Sequence, residues 1–239
     1  MRKPTTLMAG KPGSRQHFGT KPYLQDAMRL TEKERPLALY VGAASRDDPS
    51  FGSALAGLLE RAGADRVLWP KLTGRRKERA KAREALAEVD FVFLGGGDVE
   101  AGMDALRDAQ LVEELHAAAA RGVVFAGMSA GSVMLGERWI RWPREDAGDE
   151  EAETYACLGL APCCVDTHGE GEGWQETQSF AAVRARELGA KACAYAVPSG
   201  AALVVDHEGK MQARGAPVPV FAALPNEKAH IEKTLEAVP

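Results

Sequence analysis

Between Thr5 and Leu135 the chain repeats one pattern. A short, nearly continuous apolar run closes in glycine or other small residues, and a stretch with helical spacing of apolar side chains follows. The runs are TTLMAG, RPLALYVGAAS, DRVLWP, DFVFLGGGD and VVFAG. Strands apolar at successive positions are covered on both faces, as in a parallel sheet packed between helices. The segments PYLQDAMRLT, SFGSALAGLLERAG, AQLVEELHAAAARG and SAGSVML predict helices. In the second of these, Ser50 is the expected cap and Gly63 the expected stop. GRRKERAKAREALAEV predicts a charged helix, and Glu78, Glu84 and Glu88 among its basic residues mark a solvated face rather than a phosphate site. The alternation predicts an α/β fold with a mostly parallel, doubly wound sheet, whose ligands bind beyond the carboxyl ends of the strands. With 239 residues, 45% of them hydrophobic, residues 1–239 are expected to form a single domain.

Past Leu135 the rhythm loosens. Residues 138–162 read as acidic and irregular, and CCVDTHGEGEGWQETQ as a short strand running into a glycine-rich acidic loop. SFAAVRARELGAK predicts a helix, residues 192–224 a C-terminal group of short strands with turns at PSG and HEGK, and NEKAHIEKTLEAV a terminal helix. Cys157, Cys163, Cys164 and Cys193 lack zinc spacing and read as buried free thiols on strands. A net charge of −4 argues against nucleic acid as the main ligand. No apolar run is long enough for a membrane span. The first residues are too interrupted for a signal peptide, so a cytoplasmic protein is expected.

GMSAG, Gly127–Gly131, stands where a buried strand becomes a helix. A serine hydroxyl is a poor nucleophile until a base takes its proton, and a sharp strand-to-helix turn lifts the oxygen to where a base can reach it. Ser129 is the expected nucleophile, and the amide of Ala130 faces the developing oxyanion. LGGGD lies one β-α unit upstream and supplies a second donor, Gly97, with Gly96 next. Among five histidines, His17 is near the first loop, His116 inside a helix, His207 in a turn and His230 in the terminal helix. His168 alone follows an apolar strand and precedes a glycine loop, where a catalytic base belongs. An acid must orient it. Glu137, Glu145, Asp146, Asp149, Glu150 and Glu151 are all available between elbow and histidine, and the residues themselves do not choose among them.

At these motifs the chain resembles the dipeptidase E and cyanophycinase family of serine peptidases, which has a glutamine-amidotransferase-like α/β fold. FVFLGGGD matches the strand and turn supplying an oxyanion amide, implying Gly97; GMSAGS implies Ser129 and the Ala130 amide; CCVDTH implies His168. The family's acid lies about fifteen residues past the serine, which implies Asp146 in REDAG, with Glu145 in reserve. The resemblance implies a serine peptidase acting on short peptides without metal or cofactor, assembled as a homodimer or higher oligomer. This chain departs from the family after the histidine. HGEGEGWQETQ replaces phenylalanine and basic residues, and no arginine follows until Arg184 and Arg186. Glu170 and Glu172 there would attract a substrate amine or basic side chain, or simply stand in a solvated loop. Trp174 would wall the pocket or cap the core.

Two other classes compete. An α/β-hydrolase esterase places its oxyanion loop further upstream and its histidine nearer the C-terminus, such as His230; the ~30-residue spacing from Gly97 to Ser129 favours the peptidase. A glutamine amidotransferase needs cysteine at position 129. A catalytically inactive binding module would retain the fold alone.

Overall fold

The computed structural model describes residues 2–10, 19–73 and 76–238. His17 and residues 11–14 of the first predicted loop lie outside them, as do residues 74 and 75. The elements run β1 (Thr5–Met8), α1 (Lys21–Arg29), β2 (Leu37–Val41), α2 (Pro49–Ala62), β3 (Arg66–Leu68), α3 (Arg76–Glu88), β4 (Phe91–Leu94), α4 (Val99–Asp108), α5 (Val112–Arg121), β5 (Val124–Met128) and α6 (Ala130–Leu135). There follow β6 (Arg138–Arg141), β7 (Glu153–Ala156), β8 (Val165–Thr167), α7 (Gln175–Leu188), β9 (Ala192–Val197), β10 (Ala202–Val205), β11 (Met211–Arg214), β12 (Val218–Ala223), β13 (His230–Leu235) and β14 (Ala237–Val238).

Eight strands form the main sheet in the order β14-β11-β10-β1-β5-β4-β2-β3. From β1 to β3 every pairing is parallel; β10 and β11 extend the sheet antiparallel. The continuous apolar runs have the predicted cause, because alternate side chains enter two different cores. Val92 and Leu94 face the helices α3 to α6, whereas Phe91 and Phe93 face α1 and α2. β13-β12-β9-β8 form a second sheet, against which α7 packs Phe180 and Val183, and β6 and β7 make a separate hairpin.

Several expectations are corrected. The cap of α2 is Asp48, whose carboxylate accepts the Phe51 N–H, rather than Ser50; the stop at Gly63 stands. Residues 138–156 contain the β6–β7 hairpin where irregular chain is expected. The segment predicted as a terminal helix is β13 and β14. All four cysteines are free thiols, but only Cys163 and Cys164 are buried and only Cys193 lies on a strand. Burial pushes the Cys157 and Cys164 thiols up to about 12. Among the described residues no helix is long and apolar enough to cross a membrane.

Candidate active site

Ser129 is the single residue between β5 and α6. Its φ of 54° and ψ of −126° are strained for a residue with a side chain, and such strain persists only where neighbours enforce it. The Ser129 N–H donates to Met8 O at 2.8 Å, while its carbonyl accepts from Ser132 N and Val133 N at 2.8 and 3.2 Å. Ser132, fully buried, donates its hydroxyl to Met8 O at 2.9 Å and accepts the Met8 N–H at 2.8 Å. Met8, in register with Met128, is therefore the fixed point of the turn. The small residues are obligatory. A Cβ on Gly127 would stand 2.5 Å from Gly131 C and O, and one on Gly131 would stand 2.1 Å from Leu94 O. Among the described residues the Ser129 hydroxyl makes no side-chain hydrogen bond, and Ala130, first in its helix, has no intrahelical acceptor for its N–H.

β4 pairs with β5 so that Leu94 lies opposite Gly127, which carries the glycine turn alongside the elbow. A Cβ on Gly96 would lie 3.2 Å from Ser129 Cβ and 3.7 Å from its Oγ. Gly97 has φ +143°, and a Cβ there would lie 2.2 Å from Ala44 O. The next residue, Asp98, donates its N–H to that same oxygen at 2.9 Å and caps α4 through Ala101 N at 2.7 Å. Gly97 is thus pinned against the turn at residues 43–45, and Gly96 against the elbow itself.

His168 follows β8 in a left-handed conformation, φ 69°. Parallel pairing sets Thr167 opposite Val197, and the His168 N–H donates to Val197 O at 3.3 Å. The helix that starts after Ser129 packs against β8, the strand that His168 follows. No direct hydrogen bond joins the two side chains among the described residues; in a substrate-free hydrolase this contact is commonly long and tightens on binding. The register brings Ser199, in the β9–β10 turn, beside the imidazole: Nδ1 is 3.2 Å from Ser199 Oγ. Ser199 N donates to Glu170 Oε1 at 3.0 Å. Burial pulls the half-buried imidazole below its ordinary pKa, against the opposing charge of Glu170. Burial raises the Glu170 carboxyl, but hydrogen bonds from the Ser199 hydroxyl and backbone outweigh it, and the net shift is downward.

The acid expected at Asp146 stands elsewhere. Its side chain is 82% exposed and pairs with Arg144 at 2.9 Å, on the β6–β7 connection. No hydrogen bond links it, or Glu145, to His168 among the described residues. The intervening hairpin explains this, because β6 and β7 hold their connecting loop among exposed ion pairs of Arg144 with Asp146 and Glu151. Trp174 is 9% exposed and belongs to the core beneath α7, so it is a core cap. It also lies under Gly169, where a Cβ would stand 2.7 Å from its ring. Three participants escape the sequence reading: Ser132, Ser199 and Asp166. Asp166 is buried, accepts the Thr167 N–H at 2.6 Å and accepts the Thr177 hydroxyl, tying β8 to α7. An aspartate inside a strand run was the available signal for it. The PSG turn gave none for Ser199.

A serine strained at a strand–helix junction of a mostly parallel sheet, a glycine turn against its side chain and a histidine following β8 of the second sheet are the parts from which a serine hydrolase is built. A profile of Peptidase family S51, the dipeptidase E family, matches residues 7–212, and the chain belongs to that family of serine-type peptidases. A peptidase from an acI-B1 Actinobacterium is structurally similar, with TM-score 0.67 and 13% identity over 99% of this chain and 97% of that one. A putative peptidase E protein from Listeria monocytogenes EGD-e is similar at TM-score 0.62 and 13% identity, over 90% of this chain and 98% of that one. A search of curated proteins finds no match.

Proposed function

We propose that this serine peptidase hydrolyses short peptides, with Ser129 as nucleophile and His168 as general base and acid. Ser129 Oγ attacks the scissile carbonyl while His168 takes its proton; the imidazolium then returns that proton to the leaving amine, and water hydrolyses the acyl-enzyme by the same steps. The amides of Gly97 and Ala130 receive the oxyanion, with Gly96 the neighbour that leaves the approach to the hydroxyl open. The observation that carries the reading is the strained Ser129 backbone, anchored by hydrogen bonds on both sides while its hydroxyl stays unengaged. Asp146 drops out of this reading, because its carboxylate is committed to Arg144 in solvent.

A panel of dipeptides and tripeptides, assayed with wild type and Ser129→Ala, tests it. Wild type cleaves and Ser129→Ala does not, and a fluorophosphonate probe labels Ser129 alone. Turnover that survives the substitution overturns the assignment. Complete inertness of wild type toward both peptides and probe indicates a binding module instead.

A further inference from the structure

We propose that Ser199 and Glu170 act as a two-step positioning relay behind His168, supplying through a hydroxyl the orientation that a directly bonded carboxylate gives in a three-residue triad. The proposal rests on the reading of Ser129 and His168 as nucleophile and base. Its geometry is a chain of contacts across the seam of the two sheets: His168 Nδ1 to Ser199 Oγ at 3.2 Å, and the Ser199 N–H to the Glu170 carboxylate at 3.0 Å. The N–H contact holds the Glu170 carboxylate beside Ser199, and in the proposed relay the Ser199 O–H turns to it, because a carboxylate only accepts. A remaining lone pair of Ser199 Oγ then accepts a hydrogen bond from Nδ1–H. That fixes the tautomer with Nε2 unprotonated, the form a general base needs.

No proton travels along the relay. Ser129 gives its proton to Nε2, Nδ1–H and the Ser199 O–H keep theirs, and Nε2–H later protonates the leaving amine. Glu170 stays ionised and stabilises the imidazolium through space. The Ser199 turn is itself held in place: Gly200 N donates to Gly10 O at 2.5 Å, and the Tyr23 hydroxyl donates to Gly200 O at 2.8 Å. The titratable groups nearby are few. α6 carries none. β9 presents Cys193 and Tyr195, and Asp166 is saturated by Thr167 and Thr177. Glu176 on α7 and Glu172 bear on Asp166, and Glu170 is the one whose charge acts on the imidazole.

The experiment measures the rate constant for fluorophosphonate labelling of Ser129 against pH, in wild type, Ser199→Ala, Ser199→Thr and Glu170→Gln, each checked for folding by circular dichroism. Ser199→Ala and Glu170→Gln are expected to label about 10- to 100-fold more slowly, by analogy with partners that orient a metal-bound imidazole from behind. In Glu170→Gln the midpoint of the acid limb moves to lower pH, because burial then acts on the imidazole unopposed. Ser199→Thr keeps the hydroxyl and recovers most of the rate. Labelling at the wild-type rate with an unmoved midpoint in Glu170→Gln overturns the relay, as does equal loss in Ser199→Thr and Ser199→Ala. If wild type does not label at Ser129, the nucleophile assignment fails and takes the relay with it; if wild type labels and the relay variants match it, the relay alone fails.

Discussion

At the scale of single residues, the elbow is a problem of space before it is one of chemistry. A methyl group on Gly131 would meet the carbonyl of Leu94 at 2.1 Å, and the nearest atoms are all backbone of Leu94 and Gly95, so there is no flexible neighbour to displace. Gly131→Ala must lift α6 off the sheet, and a loss of about 1–3 kcal/mol follows from such overpacking. A urea titration measures it, with Ser129 labelling expected to fall in parallel. Gly171→Ala is the matched control, since it sits in the loop after His168, has open space around it and is expected to change stability by no more than about 0.5 kcal/mol. Equal effects from the two substitutions would sink the packing argument. This requirement was legible in the sequence because it is local: strand, glycine, serine, glycine and helix follow one another directly. Ser199 was not legible, because its meeting with His168 spans 31 residues and exists only through the β8–β9 register. Asp146 was favoured by its position along the chain, and position along the chain says nothing about which way a hairpin carries a carboxylate.

At the scale of elements, the turn works because α6 is fastened to β1 as well as to β5. Ser132 makes that fastening, with one hydroxyl serving both the N–H and the carbonyl of Met8. Ser132→Ala takes the hydroxyl from the buried Met8 N–H, and a loss of about 1–3 kcal/mol is expected. Thermal unfolding measures the stability, and the Ser129 labelling rate should drop as the elbow loosens. Unchanged melting would mean that the Met8 groups find other partners. The helices and strands up to α6, apart from the unexpected α4, were legible because each carries its own period. The terminal strands were not. Residues 227–238 have apolar residues spaced loosely enough to suit a helix, yet β12 offers an open edge, and pairing Ile231 with Phe221 and Leu235 with Val218 overrides the weak local preference. Exposed Glu232 and Lys233 on that outer strand guard the edge against further pairing.

At the scale of the whole molecule, the candidate site is a seam. The main sheet provides Ser129 and the glycine turn, the second sheet provides His168, and the β9–β10 turn that joins the sheets provides Ser199. What holds the second sheet's helix to that seam is a buried carboxylate, Asp166, bound to Thr167 and Thr177. Burial raises its pKa above the ordinary 3.8, outweighing those hydrogen bonds, and the charges of Glu172 and Glu170 push in the same direction. Glu176 is shifted likewise, to about 7, first by burial and then by Asp166 and Glu172; its residue is exposed, so solvent screens its contribution to stability. The sign follows from proton binding. A carboxyl with a raised folded pKa holds more protons in the folded state, so its contribution favours folding at low pH and is lost as pH rises through the shifted value. Asp166→Asn removes that dependence without removing the hydrogen bonds, because the amide oxygen still accepts from Thr167 N–H and the amide nitrogen donates to Thr177 Oγ1. The melting temperature of Asp166→Asn is therefore expected to gain on wild type as pH rises from the ordinary carboxylate range through the raised value of Asp166, and the two curves should run parallel above it. A gap that is constant with pH would mean that Asp166 keeps its ordinary ionisation in the fold, and that the carboxylate anchors the seam at no electrostatic cost.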